Sequence, residues 1–376
     1  MTKHRCVLPF HHMAVRPDGG IKPCCYFRDE YVPNDLTIEH ADPFHHPFMN
    51  EIRDKMSRDE YVDGCSKCYQ DEEASGSSMR LDMNDPKIEF GLPVNKGEEV
   101  KLTNLDWAFS NVCNNKCRMC GPELSTQWYS DAKKMNYGFD HRGVIAKNTI
   151  LDNYNLKDLR FIKMLGGEPL MEQDKFIQML KKCDLPKLRI LLVTNTTLKP
   201  NDELTELLKQ CEHIHITFSI DSYGPINDFL RKGSKWKTVE ENLNWYKETF
   251  KNKLVEIAVH SIASIYNINL IDELIMFCLK ENLYHNYVVV DGPNWIMPRH
   301  IPDSIKQELI IRLEKQASNS KNKIYNLLIQ ELNQPGDFGM FIRNDIRLNK
   351  IRNESWEHLN PWLYKRIQPY ITNDIL

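Results

Sequence analysis

The 376-residue sequence predicts an α/β fold in which strand and helix repeat, forming an incomplete barrel or an open doubly wound sheet, and three observations carry that expectation. From about Lys101, short apolar runs alternate with amphipathic stretches, the βα texture of a parallel sheet or barrel. Before that point the chain is rich in Pro, His, Asp and Cys, with turn signals such as R-P-D-G-G (Arg16 to Gly20). After Pro298 the pattern is mostly helical, as in Ser304 to Gln316. Three regions follow: residues 1–100, 101–300 and 301–376.

The six expected strands are Leu105 to Ser110, Phe161 to Leu165, Ile190 to Thr194, Ile214 to Ile220, Val255 to Ile262 and Tyr287 to Asp291. Between them, apolar residues recur at three- and four-residue steps in Gln173 to Lys182, Asp202 to Gln210, Val239 to Phe250 and Ile271 to Leu283, which predicts helices. The N-terminal region has too few apolar residues for a large core, so a metal or a neighbouring domain is expected to order it. Trp356 and Trp362 near the C-terminus read as packing residues.

A net charge of -3, from 49 basic and 52 acidic residues, provides no global basic field, so a nucleic-acid partner is unsupported. No run of about 18 apolar residues could span a bilayer, and the start M-T-K-H-R-C-V-L-P-F lacks a signal-peptide core. A cytoplasmic location without a membrane partner is expected, and in that reducing compartment eleven cysteines point to metal binding rather than to disulfides.

The stretch N-V-C-N-N-K-C-R-M-C-G places Cys113, Cys117 and Cys120 directly after the first strand of the βα array. Loops leaving the C-terminal ends of barrel strands build active sites. A structural zinc site closes with four ligands, and no fourth Cys or His follows at the usual spacing. A 4Fe-4S cubane takes one thiolate per iron, so three cysteines leave one iron open to a ligand.

This C-x-x-x-C-x-x-C motif resembles that of the radical S-adenosylmethionine (radical SAM) enzymes, and the family's further motifs follow in order. The second strand ends in L-G-G-E-P-L, whose Gly166, Gly167 and Glu168 resemble the Gly-Gly-Glu-Pro segment that binds the SAM ammonium. Without side chains, the two glycines allow a close backbone approach to a ligand. The third strand ends in V-T-N-T-T, which resembles the family's Thr-Asn turn facing the cofactor and implies that place for Asn195; an ordinary strand-ending turn is the other reading. The fourth, H-I-T-F-S-I-D-S, with I-N-D-F-L-R-K-G-S after it, is similar to the peptide-modifying subgroup, and by this resemblance Ser219 and Arg231 hold the SAM carboxylate. Asp221 matches without an assigned role. Met119 departs from the family's aromatic at that place, although a thioether can also cover a flat ring. The resemblance spans roughly Leu102 to Asp291, and it implies a partial (β/α)6 TIM-type barrel as the radical SAM core.

A second cysteine constellation lies near the N-terminus, where a hairpin is expected over H-M-A-V-R-P-D-G-G-I-K-P-C-C-Y-F. Cys6, Cys24, Cys65 and Cys68 together suffice to close around one metal centre, and spacing alone leaves zinc and iron-sulfur open. The segment resembles the SPASM/twitch regions that carry auxiliary 4Fe-4S clusters, which implies iron. Such regions usually follow the core, whereas this one precedes it. Cys25 is the alternative to Cys24 as ligand. Cys183, Cys211 and Cys278 read as small buried hydrophobes. His11, His12, His40, His45 and His46 read as a solvated, loop-rich surface.

Taken together, the resemblance implies an enzyme that reductively cleaves SAM at a 4Fe-4S cluster to a 5′-deoxyadenosyl radical and abstracts hydrogen from a substrate. A peptide or protein side chain is the expected substrate, with a small metabolite as the alternative, and an external donor of flavodoxin or ferredoxin type is expected to supply the electron. The rival from another class is an iron-sulfur or zinc-binding electron-transfer or scaffold protein without SAM chemistry.

Overall fold

Six parallel strands follow one another in chain order across the sheet of the computed structural model, which describes residues 3–85, 100–137, 154–251, 253, 255–320 and 322–372. Two short strands precede them, β1 (His12–Val15) and β2 (Ile21–Lys22). The six are β3 (Asn104–Ala108), β4 (Phe161–Leu165), β5 (Arg189–Thr194), β6 (His213–Ser219), β7 (Val255–Ala263) and β8 (Tyr284–Val289). They fall on the six expected strands, shifted by a few residues at the ends. The spatial order β2-β1-β3-β4-β5-β6-β7-β8 has no reversal along the six, which is barrel-type winding and not a doubly wound sheet. The sheet ends at β2 and β8 without joining them, so the barrel is partial.

Alternation within the strands sets the layers. Ile162 and Met164, Ile190 and Leu192, and Ile214, Ile216 and Phe218 are sealed against the outer helices, in one core with Phe176, Leu180, Leu204, Leu208, Leu243 and Tyr246. The alternate residues Lys163, Leu191, Thr217, Ser219 and His260 face the other way and stay half-buried. A filled barrel interior would bury them, so the inner face is open.

The expected hairpin forms, with Val15 opposite Ile21, and its strand β1 continues the sheet, parallel to β3 with Met13 beside Leu105. Sequence reasoning saw the hairpin but not this docking, because a four-residue strand carries little periodicity of its own. Docking also overturns the solvated reading of three histidines. His11, His12 and His46 are buried; His12 reaches Asp106 at 3.3 Å and His46 reaches Asp35 at 3.5 Å. A small satellite core of Leu8, Phe10, Phe27, Ile52, Met56 and Val62 fills the rest of the segment. Residues 86–99, which close the expected N-terminal region, lie outside the described residues.

The C-terminal part is helical as expected, in Asp303–Asn319, Ile324–Leu332, Phe338–Arg352 and Pro361–Ile367. Trp356 is fully buried in the main core, and so are Cys211 and Cys278, while Cys183 packs at its margin. No helix among the described residues is long and apolar enough to cross a membrane.

Candidate metal centres

The loop after β3 carries Cys113, Cys117 and Cys120, and backbone hydrogen bonds hold it from two sides. On one side Gly167 and Glu168 donate their N–H groups to the carbonyls of Ser110 and Val112 at 2.9 and 2.8 Å. On the other, Lys116 and Arg118 donate to Lys232 and Leu230 at 2.7 and 2.8 Å. The β3 loop is thus clamped between the segment after β4 and the segment that follows β6.

That clamp explains the glycines more directly than a ligand does. A Cβ on Gly167 would lie 2.2 Å from the Val112 carbonyl oxygen, and one on Gly166, whose φ is 122°, would lie 2.6 Å from that of Ser110. The close approach they permit here is to the cysteine loop itself.

Within the loop Cys113 and Cys117 are buried and Cys120 half-buried. Cys117 bonds Cys120, and this bond first, with the Arg231 charge behind it, holds the Cys117 thiol below its ordinary value. Arg231 Nη1 lies 4.0 Å from the Cys117 sulfur. Cys113 is pushed up to about 12 by burial. It accepts from the Asn115 N–H at 3.4 Å and from Asn195 Nδ2 at 3.8 Å.

The other expected cofactor residues gather around these thiols. Buried Glu168 accepts from Thr194 Oγ1 at 2.9 Å, from the Leu170 N–H at 3.1 Å and from the Asn195 N–H at 2.7 Å. Burial nevertheless lifts its carboxyl to about 7. Asn195 also donates to Asn114 at 2.8 Å, which ties the end of β5 to the cysteine loop. Arg231 turns one edge of its guanidinium onto Asp221, with Nη2 to Oδ1 at 2.9 Å and Nε to Oδ2 at 2.7 Å. Asp221, matched in the sequence without a role, therefore positions Arg231 and leaves Nη1 turned toward the thiols. Ser219 ends β6, half-buried on the open face.

Sequence reasoning missed Arg118. It sits between two of the thiols and is wholly buried, with its guanidinium carbon 3.7 Å from the centre of the Phe229 ring. It reaches Glu354 at 2.8 Å and Tyr266 at 3.2 Å. A basic residue inside a cysteine motif gives no sign of a partner 236 positions away.

In the N-terminal segment Cys6, Cys24, Cys65 and Cys68 line one small cavity, partly open to solvent, together with Leu8, Phe27 and Met79. Burial raises all four thiols, and neighbouring thiols add to the cost of ionising Cys6, Cys24 and Cys65. A bound metal centre would supply the missing positive charge, so the donor set fits one. Among the described residues, no three His, Cys, Asp or Glu side chains converge as ligands of a single metal ion do. Cys25 is absent from the cavity wall; its thiol lies 3.8 Å from the sulfur of Met79, a wall residue, and within reach of Asp106.

Residues 107–273 match the family described as the radical SAM superfamily, a span that includes Cys113, Cys117, Cys120, Glu168 and Arg231. A probable GTP 3′,8-cyclase of Methanocaldococcus jannaschii is 28% identical over 187 residues, which make up 48% of this chain and 56% of that protein. The chain thus spans little more than half the length of that curated relative. Among solved structures, native anSMEcpe with bound AdoMet shares 17% identity at a TM-score of 0.40, over 57% of this chain and 59% of that one. Streptococcus suis SuiB bound to the precursor peptide SuiA shares 14% at a TM-score of 0.40, over 70% and 62%.

Proposed function

We propose, on the premise that residues 107–273 form a radical SAM domain, that the chain is a radical SAM enzyme that removes hydrogen from an organic substrate. The observation that carries this is the gathering of the three-cysteine loop with Glu168 and Asn195, just after β4 and β5, and with Arg231, which ends the short helix after β6. When bound, a 4Fe-4S cluster and SAM supply the reductive cleavage to a 5′-deoxyadenosyl radical.

The chain's own residues do the rest. Cys113, Cys117 and Cys120 provide three thiolates, and the Arg231 charge beside Cys117 favours the ionised form a ligand needs. Glu168, with Gly166 and Gly167 setting the turn, offers a carboxylate to the SAM ammonium. Arg231, oriented by Asp221, offers Nη1 to the SAM carboxylate, and Ser219 lies on the same open face. An electron carrier without SAM chemistry would need none of these.

Cys6, Cys24, Cys65 and Cys68 would hold an auxiliary 4Fe-4S cluster, which the shared cavity supports, with Cys24 rather than Cys25 as ligand. Fully ligated by thiolates, such a cluster suits electron transfer or structural support. An external donor of flavodoxin or ferredoxin type would feed the loop cluster. A peptide or protein side chain is the leading substrate, following the Ser219-Ile220-Asp221 and Arg231 resemblance. A nucleotide is the second reading, because the curated relative is named a probable GTP cyclase.

Anaerobic reconstitution with iron and sulfide, iron counting and a dithionite-driven assay for 5′-deoxyadenosine test the proposal. About eight irons per chain with that product is the expected result. About four irons with bound zinc would remove only the auxiliary cluster, and no product from a fully loaded chain would defeat the enzyme reading.

A further inference from the structure

One cation of the barrel has no part in the chemistry above. Strand β4 turns Ile162 and Met164 to the helices and leaves Lys163 on the open inner face, in register with Asp106 of β3. Asp106 is already engaged, by His12 Nε2 at 3.3 Å and by the Cys25 thiol. Lys163 has no hydrogen bond or ion pair to any described residue, although it is half-buried. Burial opposes its charge, but Asp106 outweighs burial and keeps the ammonium protonated.

Across the barrel stands His260 of β7, in register with Ser219 on one side and with Asn286 on the other. Asn286 Nδ2 is 3.4 Å from its Nδ1, and the Lys163 charge reaches its ring. Strand β8 is the open end of the sheet, with Asn286 exposed and Tyr284 73% exposed, so a ligand has a way in.

Asp106 compensates the Lys163 charge only through space, being bonded to His12, and gives the ammonium no acceptor; an anionic ligand would supply one, in surroundings where charge attraction exceeds that in water. Lys163 lies three residues before Gly166, roughly 10 Å along the strand from the cofactor turn. We propose that Lys163 anchors an anionic group of the substrate, a carboxylate or a phosphate, inside the barrel, with the reacting C–H held between that anchor and the cofactor turn. The inference rests on the radical SAM reading and adds the chemical class of its substrate.

The test uses the full chain, reconstituted and loaded with SAM, and titrates inorganic pyrophosphate and glutarate separately by calorimetry, without turnover. At least one anion is expected to bind; pyrophosphate alone marks a phosphorylated substrate, and glutarate alone marks a carboxylate such as an acidic side chain. Lys163→Met should weaken that binding by about tenfold or more, and Lys163→Arg should keep it within about threefold. On the wild type, the bound anion should shield Lys163 from acetylation by an N-hydroxysuccinimide ester, read by mass spectrometry, so the outcome does not depend on either variant folding. Wild-type protein that binds neither anion at about 10 mM, a Lys163→Met chain that binds as tightly, or equal acetylation with and without anion would overturn the proposal. Failure of the underlying enzyme reading shows separately, as absence of 5′-deoxyadenosine with dithionite.

Discussion

Arg118 donates to the Glu354 carboxylate at 2.8 Å, and this bond ties the middle of the three-cysteine loop to the C-terminal tail. Both side chains are buried, and Lys232, in the segment that clamps the loop from the other side, reaches the same carboxylate. Nearby, Arg352 from the last long helix pairs with Asp131 at 2.7 Å and lies over Trp128, whose indole N–H donates to the Cys117 carbonyl at 2.8 Å. The helical extension thus braces the loop from behind.

Removing one partner of a buried ion pair strands the other charge. Arg118 keeps Asp345 at 3.6 Å as a second carboxylate, so Glu354→Ala should lower stability by less than full stranding would, about 1–3 kcal/mol, read as the urea-unfolding midpoint at unchanged slope. The same variant should lose iron from the loop site before it unfolds, whereas replacing Glu51, which makes an exposed pair with Lys55, should change neither readout.

Gly167→Ala should be among the most damaging small changes in the chain. Its Cβ would meet backbone, the Val112 carbonyl at 2.2 Å, and backbone in a clamped loop cannot step aside cheaply. The expected result is a reconstituted protein with about four irons in place of about eight and no SAM cleavage. Gly224→Ala is the contrasting variant. It meets the cost of a positive φ, 75°, but has open space around it, so its iron content should stay at the wild-type level.

Where the sequence was legible, the reason was periodicity or fixed spacing. Strand Phe161–Leu165 and helix Asp202–Gln210 were read at their observed bounds, because alternation and a three-to-four step survive in a single sequence. Cys113, Glu168, Asn195 and Arg231 could be named together because the resemblance to the radical SAM motifs rests on short, fixed spacings that a single sequence keeps. The burial of His12, the Asp221 grip on Arg231 and the reach of Arg118 to Glu354 were not legible. Each is a tertiary pairing between residues of ordinary local character, and none leaves a periodic trace.

Cys24 and Cys25 are adjacent in sequence and separate in role. Cys24 lines the cavity with Cys6, Cys65 and Cys68, while Cys25 stays off its wall, between the Met79 sulfur and Asp106 of the barrel. Cys24→Ala should cut reconstituted iron from about eight to about four per chain. Cys25→Ala should leave the count unchanged, and equal iron loss in the two variants would reassign the ligand.

Glu168 should make both stability and cofactor binding depend on pH, in opposite senses. Its carboxyl titrates near 7 in the folded chain against an ordinary value of 4.5, because burial disfavours the charged form. Below 4.5 both states are protonated and the group contributes nothing. As pH rises toward 7 the unfolded chain ionises first, so the folded protein loses stability across that window, to a limit of about 3 kcal/mol. Glu168→Gln cannot ionise, so its stability relative to wild type should improve by about that amount between about pH 5 and pH 8, beneath a constant cost for the lost acceptor to the Asn195 N–H. An ammonium brought against this carboxylate favours the ionised form. SAM should therefore bind more tightly as pH rises through 7 and release a proton when it binds below 7, which calorimetry in buffers of different ionisation enthalpy measures. A wild-type affinity as flat with pH as that of Glu168→Gln would remove Glu168 from the SAM site.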